Sequence, residues 1–192
     1  AAGLSLMFGV MLFVNIAHGD FIVVGAYLIL TFVVGWALPP ALGVVLVIGL
    51  LAGAGYLNQR LLLNRVLGND ILPPILVTFG MSIIIQNGLL EIYSADSRKL
   101  ATGTWELASM QLSDGIAIGM LPFLMFLTAV GVIWALQWVF YHTRLGRMLR
   151  ATSDDPEIVP LMGGDNAKVF ALATGLASLV VGVAGIWLAM KT

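Results

Sequence analysis

The chain has no cysteine and little charge: of 192 residues, 10% are Asp, Glu, Lys or Arg, while 60% are hydrophobic. The lack of cysteine removes a disulfide framework, an iron–sulfur cluster and a thiolate nucleophile. Ordinary soluble domains carry about 25% charged residues, so a water-soluble fold is excluded. The formal net charge is −1, which leaves no basic face to displace counterions from phosphates and excludes nucleic acid as a partner. Also missing are a GxxxxGK[ST] phosphate loop, HExxH, GxSxG, and a nucleophile with a base beside it. The chain is therefore not read as an enzyme. No cofactor or metal is called for, and any energy source lies in another protein. Apart from the boundary residues Asp20 and Glu91, no acidic residue interrupts an apolar stretch, so ion-coupled transport would have few ligands. A passive pore or a permease driven by a partner remains.

Six stretches carry no charge: Ala1 to Val14, Phe21 to Leu38, Ala41 to Leu57, Pro74 to Leu90, Met120 to Tyr141 and Val169 to Met190. About 20 apolar helical residues cross the hydrocarbon core, so five of these are long enough or nearly so, and the first looks cut short. The expected fold is all-α, a polytopic transmembrane helical bundle with about six apolar segments. No basic n-region or small-residue cleavage site marks a signal peptide, and the chain is expected to begin inside a helix and stop before its natural terminus. Short-loop charge sets the orientation. Arg60, Arg65, Arg144, Arg147, Arg150 and Lys168 fall on one side by parity, and Arg98, Lys99 and Lys191 on the other, so the first side is read as cytoplasmic. Tyr56, Trp138 and Tyr141 then mark the inner interface, and Trp36, Tyr93 and Trp187 the outer one.

Two connections are long. The outer one, 94–119, holds a Thr102-Gly103-Thr104 turn that supports a small hairpin or belongs to an ordinary solvated loop. In the inner one, 142–168, Asp155 caps a helix opened by Pro156, and Ile158, Val159, Leu161 and Met162 form an apolar patch before Gly163 and Gly164 end it. Pro160 shortens or kinks that helix.

Small residues mark packing faces: Gly49 and Gly53 as a GxxxG, and Ala171, Gly175, Ser178, Gly182 and Gly185 on the last stretch. Two polar constellations carry the functional interest. Asn15, His18, Gly19 and Asp20 break an otherwise apolar region. Within the bilayer such a break faces protein or a water-filled path, and at the interface it is only a tight turn. Thr78, Ser82 and Gln86 recur every four residues beside Asn87 and share a helix face, which lines an aqueous path or bonds a neighbouring helix.

Taken in order, these blocks resemble the membrane permease of branched-chain amino acid ABC importers and the related amide and urea importers. Asn15-Ile16-Ala17-His18-Gly19-Asp20 with Gly25-Ala26-Tyr27 is similar to the family's Asn-Phe-Ala-His-Gly-Glu block and trailing Gly-Ser/Ala-Tyr. Phe79-Gly80-Met81-Ser82-Ile83 through Gln86-Asn87 resembles the fourth-helix pattern. Thr143-Arg144-Leu145-Gly146-Arg147, Arg150-Ala151, Asp155 and Leu161-Met162-Gly163 resemble the segment that contacts the ATPase. Asp20 stands where Glu is common, Val159-Pro160 where small helix formers are usual, and Gly164 where an aliphatic residue is usual.

The resemblance implies a single transmembrane permease domain over 1–192, part of a longer permease, in a bacterial inner membrane. It implies a periplasmic loop at 94–119 and a cytoplasmic coupling loop at 142–168. The implied partners are ATP-binding cassette ATPase subunits, a second permease subunit, a periplasmic solute-binding protein and membrane lipid. It makes Asn15, His18, Gly19, Asp20, Tyr27, Thr78, Ser82, Gln86 and Asn87 candidates for the substrate pathway. Arg144, Leu145, Gly146, Arg147, Arg150, Asp155, Leu161, Met162 and Gly163 become candidates for ATPase coupling. The implied function is ATP-driven import of branched-chain amino acids or a similar small polar solute. The rival is a passive helical channel for a small neutral solute such as urea or an amide.

Overall fold

The computed structural model describes residues 2–11, 14–68, 70, 72–94, 100, 109–113, 116–155 and 165–191. Among the described residues, five helices are long and apolar enough to cross a membrane. They are α2 (His18–Gly35), α3 (Pro40–Val66), α4 (Leu72–Tyr93), α5 (Met120–His142) and α7 (Asn166–Lys191). Before them stands a short apolar helix, α1 (Ala2–Met11). Between α5 and α7 lies α6 (Arg144–Asp154). The expected all-α transmembrane bundle is what the chain forms. Its long helices bond their backbones internally, as spanning segments must, because lipid offers an unbonded backbone no partner.

Local chemistry sets the ends. Pro40 sits in the first turn of α3, and Pro73 and Pro74 in that of α4, where a missing N–H costs nothing. Thr143 caps α6 by accepting from the Gly146 N–H at 3.0 Å, and Asp165 accepts from the Ala167 N–H at 3.0 Å to cap α7. The third apolar run was expected to end in a loop after Leu57. Instead the helix runs on through a π-helical segment, Gln59–Leu63, to Val66, so Arg60 and Arg65 are helical residues. Arg60 donates to the Tyr56 hydroxyl one turn back at 3.3 Å, which lets a cation stay on an exposed helix face.

α7 is the axis of the bundle. It runs antiparallel to α3, with Gly182 against Ile48, Gly175 against Ala52 and the Asn64 amide on the Ala167 carbonyl at 2.9 Å. It runs parallel to α2, with Gly182 and Gly185 against Gly25. Contact is backbone to backbone: a Cβ at Gly185 would stand 2.6 Å from the Ile22 carbonyl oxygen, and one at Gly55 would overlap the Ser178 hydroxyl. The small face read on the last stretch is thus an interior seam, where close approach supplies the dispersion that lipid would otherwise match. Gly49 and Gly53 are different, since they are exposed and nothing would meet a Cβ there.

Two apolar clusters fill the interior. One, at the end bearing Arg65, Arg144 and Arg147, joins Leu6, Met7, Val10, Leu63, Leu149 and Val169. The other, at the opposite end, joins Ala26, Ile29, Phe32, Val47, Leu51 and Ala189. At that second end the connection to α5 carries an antiparallel hairpin, β1 (Ser109–Ser113) and β2 (Ile116–Gly119), with a register shift between Gln111 and Ser113. The hairpin expected about Thr102-Gly103-Thr104 falls outside the described residues, and the strand pair seen here is a different one.

Candidate functional site

The site grows from the break between α1 and α2. α1 lies antiparallel to one half of α7: a Cβ at Gly3 would stand 2.9 Å from the Ala177 carbonyl oxygen, and Val10 reaches the cluster of Val169. The chain then doubles back, because the His18 imidazole lies against the same Gly3, 3.0 Å from such a Cβ. α2 therefore starts beside Ala177, near the middle of a 26-residue helix. Asn15–Asp20 therefore breaks the helical run beside the middle of α7. Asn15 is 3% exposed and Ala17 fully buried, and the turn closes through the His18 N–H on the Asn15 carbonyl at 3.2 Å. Gly19 is exposed and carries no close neighbour.

α4 completes the site. Thr78, fully buried, accepts from the Ile16 N–H at 3.4 Å and donates to its own Ile75 carbonyl at 3.0 Å. One turn and then two further along, Gln86 Nε2 donates to Asp20 Oδ1 at 3.0 Å and to Ser82 Oγ at 3.1 Å. Farther along, Tyr27 and Tyr93 stack at 4.4 Å, and the Thr31 and Tyr93 hydroxyls share a hydrogen bond of 2.6 Å. The expected face Thr78, Ser82, Gln86 is thus real, and it meets the broken segment. Asn87 does not join it: its amide donates to the Ile83 carbonyl at 2.8 Å on the exposed side of α4. A cavity of about 280 Å³, lined by Asp20, Val23, Tyr27, Gln86, Leu90 and Ser94, opens between α2 and α4.

An ionisable group halfway along a membrane bundle is costly unless it faces protein or water. Asp20 has one neutral donor, Gln86, and stands at the edge of an open cavity. Neutral amide and hydroxyl groups around one carboxylate suit reversible hydrogen bonding of a polar solute.

A second polar seam was not read from the sequence. Thr174 Oγ1 donates to Gln59 Oε1 at 2.9 Å, Gln59 Nε2 donates to Asn64 Oδ1 at 3.0 Å, and Asn64 passes the chain to Ala167. The signal was present as Asn58, Gln59 and Asn64 just past an apolar run, but they look like the start of a loop.

The residues expected to couple to an ATPase divide by exposure. α6 is amphipathic, with Gly146, Leu149 and Thr152 buried and Arg144, Arg147 and Met148 exposed. A Cβ at Gly146 would overlap the terminal carbonyls of α5 at Val139 and Phe140. Arg150 donates to the Phe140 carbonyl and lies 5.3 Å from the Tyr141 ring. Gly146 and Arg150 therefore form an elbow between α5 and α6, while Arg144 and Arg147 are exposed and Leu145 is half-buried. The Asp155 N–H donates to the Ala151 carbonyl at 3.1 Å and closes α6; the helix that Asp155 was expected to cap, opened by Pro156, lies outside the described residues. Leu161, Met162 and Gly163 lie outside the described residues.

The described residues thus form a multi-pass helical bundle with a broken segment and a polar helix face beside it. The chain belongs to the family described as branched-chain amino acid transport system / permease component, whose model matches residues 1–192. It is 25% identical over 203 residues to the high-affinity branched-chain amino acid transport system permease protein BraD of Pseudomonas aeruginosa, covering 100% of this chain and 66% of that protein. It is 25% identical to the corresponding LivH of Escherichia coli K12, covering 98% and 64%. The fructose import permease protein FrcC of Rhizobium meliloti is 28% identical over 90% of this chain and 47% of its own length. No solved structure matches. The chain thus spans just under two thirds of the length of the first two relatives.

Proposed function

We propose that this chain is a translocating part of an ATP-driven importer for branched-chain amino acids or a similar small polar solute. The carrying observation is Asp20, held at mid-depth by Gln86 and open to the cavity between α2 and α4. A carboxylate there accepts from the ammonium of an amino acid, and the neutral groups beside it release the solute again. The family and the names of BraD and LivH support the amino acid class, and FrcC keeps a sugar among the alternatives. The Arg-bearing end is the cytoplasmic end on the positive-inside argument, where Arg144 and Arg147 offer charge to an ATPase. A second permease subunit and an outer solute-binding protein complete the assembly. ATPase turnover drives import by biasing a bundle with two arrangements.

The test is uptake of radiolabelled L-leucine, D-fructose and urea by the full-length permease, with and without its ATPase and binding protein. Leucine uptake that needs both partners and falls at least tenfold in Asp20→Asn is expected. Uptake that persists without them makes the protein a passive channel, and an unaffected Asp20→Asn removes Asp20 from the path.

A further inference from the structure

A second cavity, of about 230 Å³, lies at the Arg-bearing end between α1, the last turn of α5 and α6, and shares no residue with the one beside Asp20. One side of it is apolar: Leu6 and Val10 of α1 and Leu149 of α6, all buried, with Phe140 of α5. The other side is charged, because Arg150 and Asp154, one turn apart on α6, both line it. Among the described residues no ion pair joins the two. A base four residues before an acid is the weaker order for such a pair, and Arg150 is instead drawn to the Phe140 carbonyl and the Tyr141 ring. Helix stability does not explain Asp154 either. It is the last residue of α6, where the unpaired carbonyls of the helix end favour a cation over a carboxylate.

The lining selects its ligand. An anion alone meets Asp154, a cation alone meets Arg150, and an apolar solute leaves both charges unmatched. A zwitterion with an aliphatic side chain suits every wall. Drug-sized ligands fill about 300–1,000 Å³, so a cavity of about 230 Å³ holds one small molecule. We propose that this cavity is a regulatory site for a free aliphatic α-amino acid. Its carboxylate accepts from the Arg150 guanidinium, its ammonium donates to the Asp154 carboxylate, and its side chain lies against Leu6, Val10 and Leu149. The consequence is mechanical. The cavity is walled by the elbow between α5 and α6, and Ser153 beside it donates to the Gly9 carbonyl of α1. A ligand there bridges α1 and α6, holds the elbow in one arrangement and slows the exchange that transport needs. That inhibition rests on the permease reading above, with the accumulated product of import as the ligand; binding itself does not.

The experiment uses the full-length permease with its ATPase and binding protein in proteoliposomes, the ATPase facing the lumen and L-leucine in the lumen as the probe. Luminal leucine is expected to lower the initial rate of leucine uptake at least tenfold. Isocaproate, which lacks the ammonium, and isoamylamine, which lacks the carboxylate, are expected to change it less than twofold. Asp154→Asn, exposed on α6, is expected to import within twofold of the parent from an empty lumen, yet to need at least ten times more luminal leucine for the same inhibition. Equal inhibition of parent and variant, equal inhibition by isocaproate, or none by leucine overturns the regulatory site. Binding is read separately, as the rise in melting temperature that leucine gives the solubilised complex carrying Asp20→Asn, whose path is disabled. Loss of that rise on adding Asp154→Asn supports the site; a rise that survives, or no rise, overturns it. A parent that imports no leucine while the rise still depends on Asp154 removes the permease reading and leaves the binding site standing.

Discussion

α5 and α7 are near equals in sequence and opposites in the fold. Each is long enough to span, with mean hydropathy 2.0 and 2.2, yet half of the most apolar part of α7 is buried and none of α5. The difference is size. α7 presents Gly175, Ser178, Gly182 and Gly185 to α2 and α3, whereas α5 carries Phe126, Trp134 and Trp138 outward and is held to the rest through its elbow with α6. Between the two helices lies a cavity of about 480 Å³, lined almost wholly by apolar side chains such as Val132, Ile133, Val180 and Trp187. In lipid an apolar surface gains nothing by leaving its solvent, so close backbone approach, not hydropathy, decides which helix becomes the axis.

The comparison breaks most sharply at its tightest point. Gly185→Leu drives a side chain into the backbone of α2 and is expected to cost at least ~1–3 kcal/mol, seen as lost assembly on gel filtration in detergent. Gly131→Leu on α5 meets open space and leaves assembly unchanged. If both variants assemble alike, the size argument fails.

Next comes the elbow. Gly146→Val forces α6 away from the last carbonyls of α5, so ATPase stimulation is expected to fall while the melting temperature drops only modestly. If the proposed ATPase contact holds, Arg147→Ala, exposed on α6, is expected to lower ATPase association in a pull-down without changing stability.

Smaller is Thr174→Val, which deletes the hydrogen bond that ties α7 to Gln59 and should cost about 0.5–1.5 kcal/mol in a denaturation series.

The smallest effect lies at the cap of α7. Desolvation pushes the Asp165 carboxyl up, but the Lys168 N–H and ammonium and the Ala167 N–H outweigh it and hold the carboxyl below its usual range. A depressed folded value means that the contribution is present above the unfolded pKa, near 4, and fades as pH falls through the folded one. Asp165→Asn is expected to flatten that acid limb slightly in a melting series from pH 6 to pH 3.

How far these features were legible depends on the range of the force behind them. Asn15–Asp20 and the Thr78, Ser82, Gln86 face stood out as polar residues in apolar runs, but their spacing allowed either a turn at the interface or a break within the bundle. The approach of His18 to Gly3 and Ala177 fixes where along α7 the break falls. The Gln59, Asn64 and Thr174 seam was invisible because Arg60 ends the uncharged run, although a long cationic side chain can lie along an exposed helix face without ending the helix. Asn87 shares its surroundings in sequence with Gln86, but the next residue on a helix points about 100° away.

Length, hydropathy and the scarcity of charge by themselves determined that this protein is a multi-pass helical bundle, because the cost of an unbonded backbone in lipid leaves few other forms. The order of its polar blocks pointed to its family, which the match over residues 1–192 bears out. Tertiary structure decided which glycines pack, since Gly49 and Gly182 look alike until a neighbour is within reach. It also decided that the polar break lies at mid-depth and faces α4. Pairing in depth is a relation between helices far apart in the chain, and a pattern within one helix cannot carry it.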